Sequence, residues 1–363
     1  MAKVYFLTSR VHNRKSLLSR YEQFLKILNL PFIQEDKQIL IKTHFGEDGN
    51  TAYLNPLYVR KTADWIKSKK ALPFIGDSST LYKGRRNKAI SHLELALEHG
   101  FSYASVNAPL VILDGIKSDY YTNYEMNGKH FKEVQVAGAL GAADGAVILS
   151  HVKGHGLAGM GAAVKNLAMG LANRTQKQRM HGDIKPKFKG DKCIGCHACI
   201  RICPVNAVTG KAKDIHIDLE KCIGCAECIT HCPTQAMQLL WNETPSIMAE
   251  KMAETALAAV NVLGGRLIYM NFMLNITPNC DCDGAVDNPI VNDIGMLISE
   301  DPIAIDKASF DLVNKQKPLE NSVIADTKGE IFKNAHPEID TLRQLNYGAE
   351  IGLGSLEYEL IEV

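Results

Sequence analysis

Eight cysteines set out as two copies of one spacing carry the clearest chemistry in this sequence. Cys193, Cys196, Cys199 and Cys203 follow C-x2-C-x2-C-x3-C and are closed by Pro204. Cys222, Cys225, Cys228 and Cys232 repeat the pattern 29 residues later, closed by Pro233. Three thiolates spaced this closely wrap one corner of an iron–sulfur cubane, while the fourth cysteine points away and usually ligates the other cluster. The pattern predicts two [4Fe-4S] clusters, one on Cys193, Cys196, Cys199 and Cys232, the second on Cys222, Cys225, Cys228 and Cys203. Gly195 and Gly224 leave room for backbone amides to approach cluster sulfides, and the two prolines turn the chain away after each crossing ligand. Paired C-x2-C motifs also suit tetrahedral zinc. Four cysteines at 2-2-3 spacing before Pro, twice over, favour iron and sulfide.

The repeat resembles bacterial two-cluster ferredoxins, and what that resemblance implies is one-electron transfer at a potential set by charge, hydrogen bonds and exposure. Two of the ten cysteines are left over, in Asn279-Cys-Asp-Cys-Asp-Gly284. Thiolates one residue apart seldom close on each other, because disulfide geometry is demanding. Cys280 and Cys282 are then either incidental thiols in a polar loop or a soft pair for a third metal, a cluster or redox chemistry.

Other chemistry-bearing residues fall at the ends of apolar runs. Val4-Leu7, Ile39-Phe45, Pro73-Gly76, Leu110-Leu113 and Ala146-Ser150 read as strands, with helical patterns such as Leu57-Lys69 and Asn87-His99 between them. In open α/β sheets, ligands gather beyond the carboxyl ends of strands. Here those ends carry Lys42-Thr43-His44 with Glu47, Asp77-Ser-Ser-Thr80, Ser150-His-Val-Lys153 and the Cys280 loop. A single histidine is more often structural than a ligand; His44 and His151 gain weight from converging on one edge. Gly154-His-Gly-Leu-Ala-Gly159 matches G-x-G-x-x-G but lacks the acidic residue that dinucleotide binding needs. A close-packing glycine turn, or a helix N-terminus holding another anion, are its other readings. Arg174-Lys192 holds seven Lys/Arg against two Asp, expected of a solvated linker, or of a docking patch for an acidic partner.

These elements predict an α/β fold, a largely parallel sheet with flanking helices, interrupted by an inserted ferredoxin-like α+β module. The expected division is 1–187 for the first part of the α/β domain, 188–240 for the insert and 241–363 for the second part. In that second part Thr244-Pro245 opens a helix, Arg266-Leu274 reads as a strand and Asp301-Pro302 starts a further helix. With 363 residues and a formal net charge of +1, neither a nucleic-acid sleeve nor a polybasic membrane anchor is expected. No apolar run reaches the ~20 residues of a membrane span, and no leader pattern opens the chain. A cytoplasmic protein is expected, whose thiols bind metal rather than pair as disulfides.

Thr43-His-Phe-Gly-Glu47, Ser150-His-Val-Lys-Gly-His155, Ala163-Val-Lys-Asn-Leu-Ala-Met-Gly170, Cys280-Asp-Cys282, Asp293-Ile-Gly295 and Asp301-Pro-Ile-Ala-Ile-Asp306 together resemble the domain-of-unknown-function 362 iron–sulfur family. That resemblance spans nearly the whole chain and implies architecture and clusters, but no reaction. A weaker echo joins His155, Lys165 and His181, spaced H-x9-K-x15-H, to the His/Lys/His set of nickel-pincer lactate racemases. It implies a cofactor or substrate pocket containing these three residues. The residues around them differ, and a cluster module follows His181, so the nickel cofactor itself is not expected here.

The expectation that results is a redox protein, in which the clusters exchange electrons with a redox partner protein and with a site in the α/β domain. The chemistry there is reductive, on a small anionic substrate or cofactor. His155, Lys165, His181, His44 and His151 are the candidate catalytic residues, and Cys280 and Cys282 the candidate cofactor ligands. The alternative is a non-catalytic electron-transfer subunit or a cofactor-binding or assembly protein. The large part of the chain outside the cysteine module argues against a simple carrier, which needs little beyond the module.

Overall fold

A computed structural model of the chain describes every residue except 12–13, 183–184 and 240–242. Eight strands form the main sheet: β1 (Ala2–Thr8), β2 (Gln38–Lys42), β3 (Leu72–Asp77), β4 (Leu110–Ile112), β5 (Gly145–His151), β6 (Leu267–Met273), β7 (Gly295–Ser299) and β8 (Tyr358–Glu362). Their spatial order is β8-β1-β7-β6-β5-β2-β3-β4. All neighbouring pairs are parallel except those made by β7, which runs antiparallel to both β1 and β6. The central strands are apolar without alternation; every residue of β6 and β7 is buried, as expected where helices cover both faces.

The helices that frame the site are α1 (Leu17–Ile27), α2 (Pro56–Ser68), α3 (Ala89–Glu98), α4 (Ala163–Gly170), α5 (Arg174–His181), α6 (Pro245–Val262), α7 (Pro302–Asn314) and α8 (Arg343–Glu350). Their starts are written in the sequence. Thr244 caps α6 through its side chain, with proline in the first turn, and Asp301 caps α7 by accepting from Ile303 and Ala304 N–H at 2.9 Å each. One core packs α4, α6, α7 and α8 on one face of the sheet, and a second packs α1 and α2 on the other.

Strand β5 pairs directly with β6 although more than a hundred residues separate them, and the cysteine-rich segment lies in that crossover. The expected boundary at 240–241 lies outside the described residues. The segment has its own small core of Val208, Ile215, Ile229 and Met237 around the buried cysteines, joined by Leu81 from the α/β part. Its one short hairpin (Val208–Lys211 with Asp214–Ile217), the antiparallel pair that joins its two ends (Lys187–Phe188 with Met237–Gln238) and two short helices (Ala198–Ile202 and Glu227–Thr230) follow the ferredoxin-like α+β pattern.

Two expectations change, and one reading left open is decided. Strand β2 ends at Lys42, so Thr43, His44 and Phe45 leave the sheet as a loop rather than continuing it. The glycine-rich segment is a small hairpin (Lys153–His155 with Gly159–Gly161), not a phosphate loop. The N-terminus of α4 beyond it is occupied by Asp306, whose carboxylate accepts from Ala163 N–H at 2.8 Å and Val164 N–H at 2.9 Å and so takes the place a cofactor phosphate or another anion would fill. The basic stretch from Arg174 is not a solvated linker in its first half. It forms α5, capped by Asn173, with Arg174, Gln176, Lys177 and Gln178 buried. The rest of the stretch includes residues 183–184, outside the described set.

Candidate functional site

The carboxyl ends of β2, β3 and β5 open into one cavity of about 200 Å³, closed by the hairpin, by α4 and α5, and by the Cys280 loop. Its walls bring together His44, Asp77, His151, His155, Lys165, His181, Cys280 and Cys282. All five histidine and lysine candidates and both leftover cysteines therefore line one space. An open groove of about 1,020 Å³ adjoins it and shares His155, Cys280 and Cys282.

The floor is a buried ion-pair network. Lys42 Nζ lies 3.0 Å from Asp77 Oδ1, and donates to Asn166 Oδ1 at 2.8 Å. Asp77 also faces His92 at 3.7 Å and Arg86 at 4.0 Å. Burial opposes its ionisation, but the neighbouring cations, Lys42 first and also Arg86, outweigh that and hold its carboxyl well below the usual range. Arg86 donates to Glu47 Oε2 at 2.7 Å and approaches His44 Nε2 at 2.8 Å. The Gly46 N–H donates to His44 Nδ1 at 2.9 Å, so both ring nitrogens meet donors. Burial, then Arg86, push His44 well below its ordinary value, and it is neutral.

A second network positions the cysteine loop. His151 Nδ1 lies 3.0 Å from Asp281 Oδ2, and Lys153 Nζ 2.7 Å from Asp281 Oδ1. Lys153 also donates to the Ala52 carbonyl at 2.7 Å, and His151 Nε2 contacts the Leu274 carbonyl at 2.6 Å. Asp281 thus anchors the turn that carries Cys280 and Cys282 to the end of β5. Contrary to the expectation of two separate thiols, the turn brings the two Sγ atoms against each other, with Cα atoms 5.4 Å apart. Lys165 Nζ donates to Cys280 Sγ at 3.1 Å and lies 3.6 Å from Cys282 Sγ. One nitrogen of His155 and the two sulfurs lie within 4.8 Å of one another, a group able to hold a metal ion.

The cavity is cationic. Burial, and then Arg86, push Lys165 down to about 8; burial likewise pushes Lys177 to about 8, and His181 to about 3. At neutral pH the lysines are charged and His155 and His181 are neutral. Lys42, Arg86, Lys153, Lys165 and Lys177 line or floor the space against Asp77, Asp281 and Glu47. The buried hydroxyls of Thr43 and Thr80 have no protein partner among the described residues and face the same space. Arg86, Tyr82 and Lys177 were not legible as site residues. Lys177 sits in a run that looks like solvated charge, and only the packing of α5 turns it inward to Ser78 Oγ at 2.9 Å.

In the cysteine segment, Cys193, Cys196, Cys199 and Cys232 line one pocket. Burial, then neighbours including Cys203 and Cys222, raise the thiol of Cys225. The two halves repeat their unusual backbone as well as their sequence. Gly195 and Gly224 have φ of 71° and 70°, His197 and Ala226 57° and 60°, and Asn206 and Gln235 52° and 56°. Left-handed non-glycine residues cost energy, and here they fold each loop around its thiols. Backbone N–H groups of Ala207 and Ala236 donate to Cys203 Sγ at 3.2 Å and Cys232 Sγ at 3.1 Å. The donor set, four sulfurs per group with amides directed at them, fits two iron–sulfur clusters.

The segment is docked on the cavity mouth. Leu81 enters its core, Lys83 Nζ donates to the Pro233 carbonyl at 3.2 Å, and Arg174 pairs with Glu227. Thr230, between Cys228 and Cys232, lines the same groove as Cys280 and Cys282.

The profile of a family described as "Domain of unknown function (DUF362)" matches residues 39–311. The chain belongs to this family. Two curated relatives match over a short stretch only. A component of the ion-translocating oxidoreductase complex of Hahella chejuensis is 48% identical over 40 residues, 10% of this chain and 20% of that protein. The protein of the same name from Azoarcus sp. is 45% identical over 40 residues, 22% of its length. The chain thus spans about a fifth of these relatives. Among solved structures, a Thermotoga maritima protein superposes with a TM-score of 0.41 at 7% identity, covering 74% of this chain and 51% of that one. The lactate racemase apoprotein of Thermoanaerobacterium thermosaccharolyticum gives 0.39 at 12% identity, covering 82% and 54%. Both are partial likenesses of fold that carry no functional weight. Among the described residues, no helix is long and apolar enough to cross a membrane. This DUF362 chain is an iron–sulfur protein with a ferredoxin-like cysteine region.

Proposed function

We propose that the protein passes electrons between two [4Fe-4S] clusters and the cavity of the α/β domain, where a small anionic substrate or cofactor is reduced. We assign residues 188–240 to the module and the flanking parts to one α/β domain. The observation that carries this reading is the docking of the cysteine segment on the cavity mouth, with Thr230 in the same groove as Cys280 and Cys282. The clusters would be held by Cys193, Cys196, Cys199 and Cys232, and by Cys222, Cys225, Cys228 and Cys203. When bound they supply single electrons at low potential.

The chain's own residues do the rest. Lys42, Arg86, Lys165 and Lys177 supply positive charge for an anion, and the Thr43 and Thr80 hydroxyls supply hydrogen bonds. Neutral His181 is positioned to exchange a proton with what binds there, and neutral His155 to donate a hydrogen bond to it. The similarity of a short stretch to one component of an ion-translocating oxidoreductase complex supports an external redox partner, of unspecified identity. The test is an anaerobic preparation analysed for iron, sulfide and other metals, followed by electron paramagnetic resonance after reduction with dithionite. Close to eight iron and eight sulfide per chain is expected, with reduced-cluster signals that anionic two-electron acceptors discharge. Protein holding zinc in place of iron, or reduced clusters that no small anion among a carboxylate, phosphate and sulfur-oxyanion panel discharges, would refute it.

A further inference from the structure

We infer that Cys280 and Cys282 are a redox-active dithiol/disulfide couple, placed where the cavity meets the groove, with Lys165 as its cation and the neutral ring of His155 beside it. The inference rests on the reading that electrons from the cysteine module reach this cavity, and it names the group that receives them.

Three features support it. The first is reach. Cα atoms 5.4 Å apart lie within the span of a disulfide, so oxidised and reduced forms need little backbone movement. A bond between residues two apart closes a very short loop and so constrains the unfolded chain little, which leaves it small structural value. Both cysteines line the cavity and the groove, so the pair is within reach of solutes.

The second feature is the environment of one sulfur. Cys280 Sγ receives the Lys165 ammonium at 3.1 Å and the Cys282 N–H at 3.4 Å. Donors of this kind favour a thiolate over a thiol. Cys280 is therefore the sulfur that carries charge in the reduced form.

The third is the tautomer of His155. Its Nδ1 accepts the N–H groups of Leu157 at 3.2 Å and Ala158 at 3.0 Å. The neutral ring then carries its proton on Nε2 and has no lone pair left for a metal. Beside the sulfurs it is a hydrogen-bond donor. The His155, Cys280 and Cys282 group thus suits thiol chemistry better than metal binding.

On reduction, the Cys280–Cys282 S–S bond takes two electrons and one proton and breaks, leaving a thiolate on Cys280 and a thiol on Cys282. The electrons arrive one at a time from a one-electron reductant, and the proton comes from solvent through the groove that both cysteines line. Reoxidation reforms the S–S bond, returns both electrons to a two-electron acceptor in the cavity and releases the proton.

The test uses the full-length, anaerobically prepared holoprotein, equilibrated in dithiothreitol buffers of graded oxidised-to-reduced ratio. Thiols are trapped with iodoacetamide and the Cys280–Cys282 peptide is weighed. The expected peptide carries two adducts or none, with one midpoint. Lys165→Met moves that midpoint toward the disulfide by at least about tenfold, the value of a hydrogen bond to a charged group. Lys165→Arg restores it. Singly modified peptide throughout, no oxidation at any ratio, or a stoichiometric metal ion released by His155→Ala would overturn the inference. Iron and sulfide content and the cluster signals are measured on the same samples. If these are absent, the delivery of electrons from the module is refuted, whereas the alkylation pattern alone decides the couple.

Discussion

Asp281→Asn is the sharpest probe of how the cysteine loop is held. The carboxylate is 4% exposed and lies 3.0 Å from His151 Nδ1 and 2.7 Å from Lys153 Nζ, whose side chain is 0% exposed. Removing one partner of a buried ion pair costs about 3–5 kcal/mol, because the other charge is left without compensation. Asparagine keeps an oxygen for His151, which returns about 1 kcal/mol, and Lys153 retains the Ala52 carbonyl. A net loss of about 2–4 kcal/mol is expected. With a urea dependence of about 3 kcal/mol/M, the unfolding midpoint falls by about 1 M at unchanged slope. Asp281→Asn combined with Lys153→Met should recover about half of the loss, since the stranded charge is gone. The His151 and Lys153 neighbours hold Asp281 well below the usual carboxylate range against its burial. The stability it contributes is therefore fully present above the unfolded value near ~3.9 and is lost as pH falls toward the lower folded value. The difference between parent and variant should vanish in acid. A midpoint shift under about 0.3 M at pH 7, or a double variant no better than the single one, would refute the account of this loop.

Other outcomes follow from the same geometry. Cys232→Ser should damage the cluster of the first half and Cys203→Ser that of the second, read by iron content and paramagnetic resonance; damage confined to each cysteine's own half would contradict the crossing. Binding of a small dianion such as oxalate, followed by calorimetry, should weaken as pH rises through about 8, where Lys165 and Lys177 lose their charge. Flat affinity from pH 6.5 to 9 would count against the cationic cavity. Asp306→Ala should lower stability by about 2 kcal/mol in urea melts, because two amides at the start of α4 lose their acceptor. Burial pushes Asp306 up to about 6, above its unfolded value, so its ionised form opposes folding and the parent's stability should fall as pH rises from about 4 to 6.

The local chemistry was legible in the residue order. Two C-x2-C-x2-C-x3-C-P runs mark the eight candidate ligands, because spacing along the chain sets which thiolates can reach one cluster. The strand and helix alternation, the caps Thr244 and Asp301, and the polar residues at strand ends were equally local, and they place His44, Asp77 and His151 on one edge. The tertiary structure alone decided which of these residues share a space. The pairing of β5 with β6 folds the chain back so that the Cys280 turn returns to the end of β5, and Asp281 locks it there through His151 and Lys153. The same packing turns Lys177 out of a run of surface-like charge and into the cavity, fills the N-terminus of α4 with Asp306, and brings Arg86 onto Glu47 and His44. Partners so far apart in the chain leave no periodicity to read, since a buried ion pair depends on the distance between side chains in space.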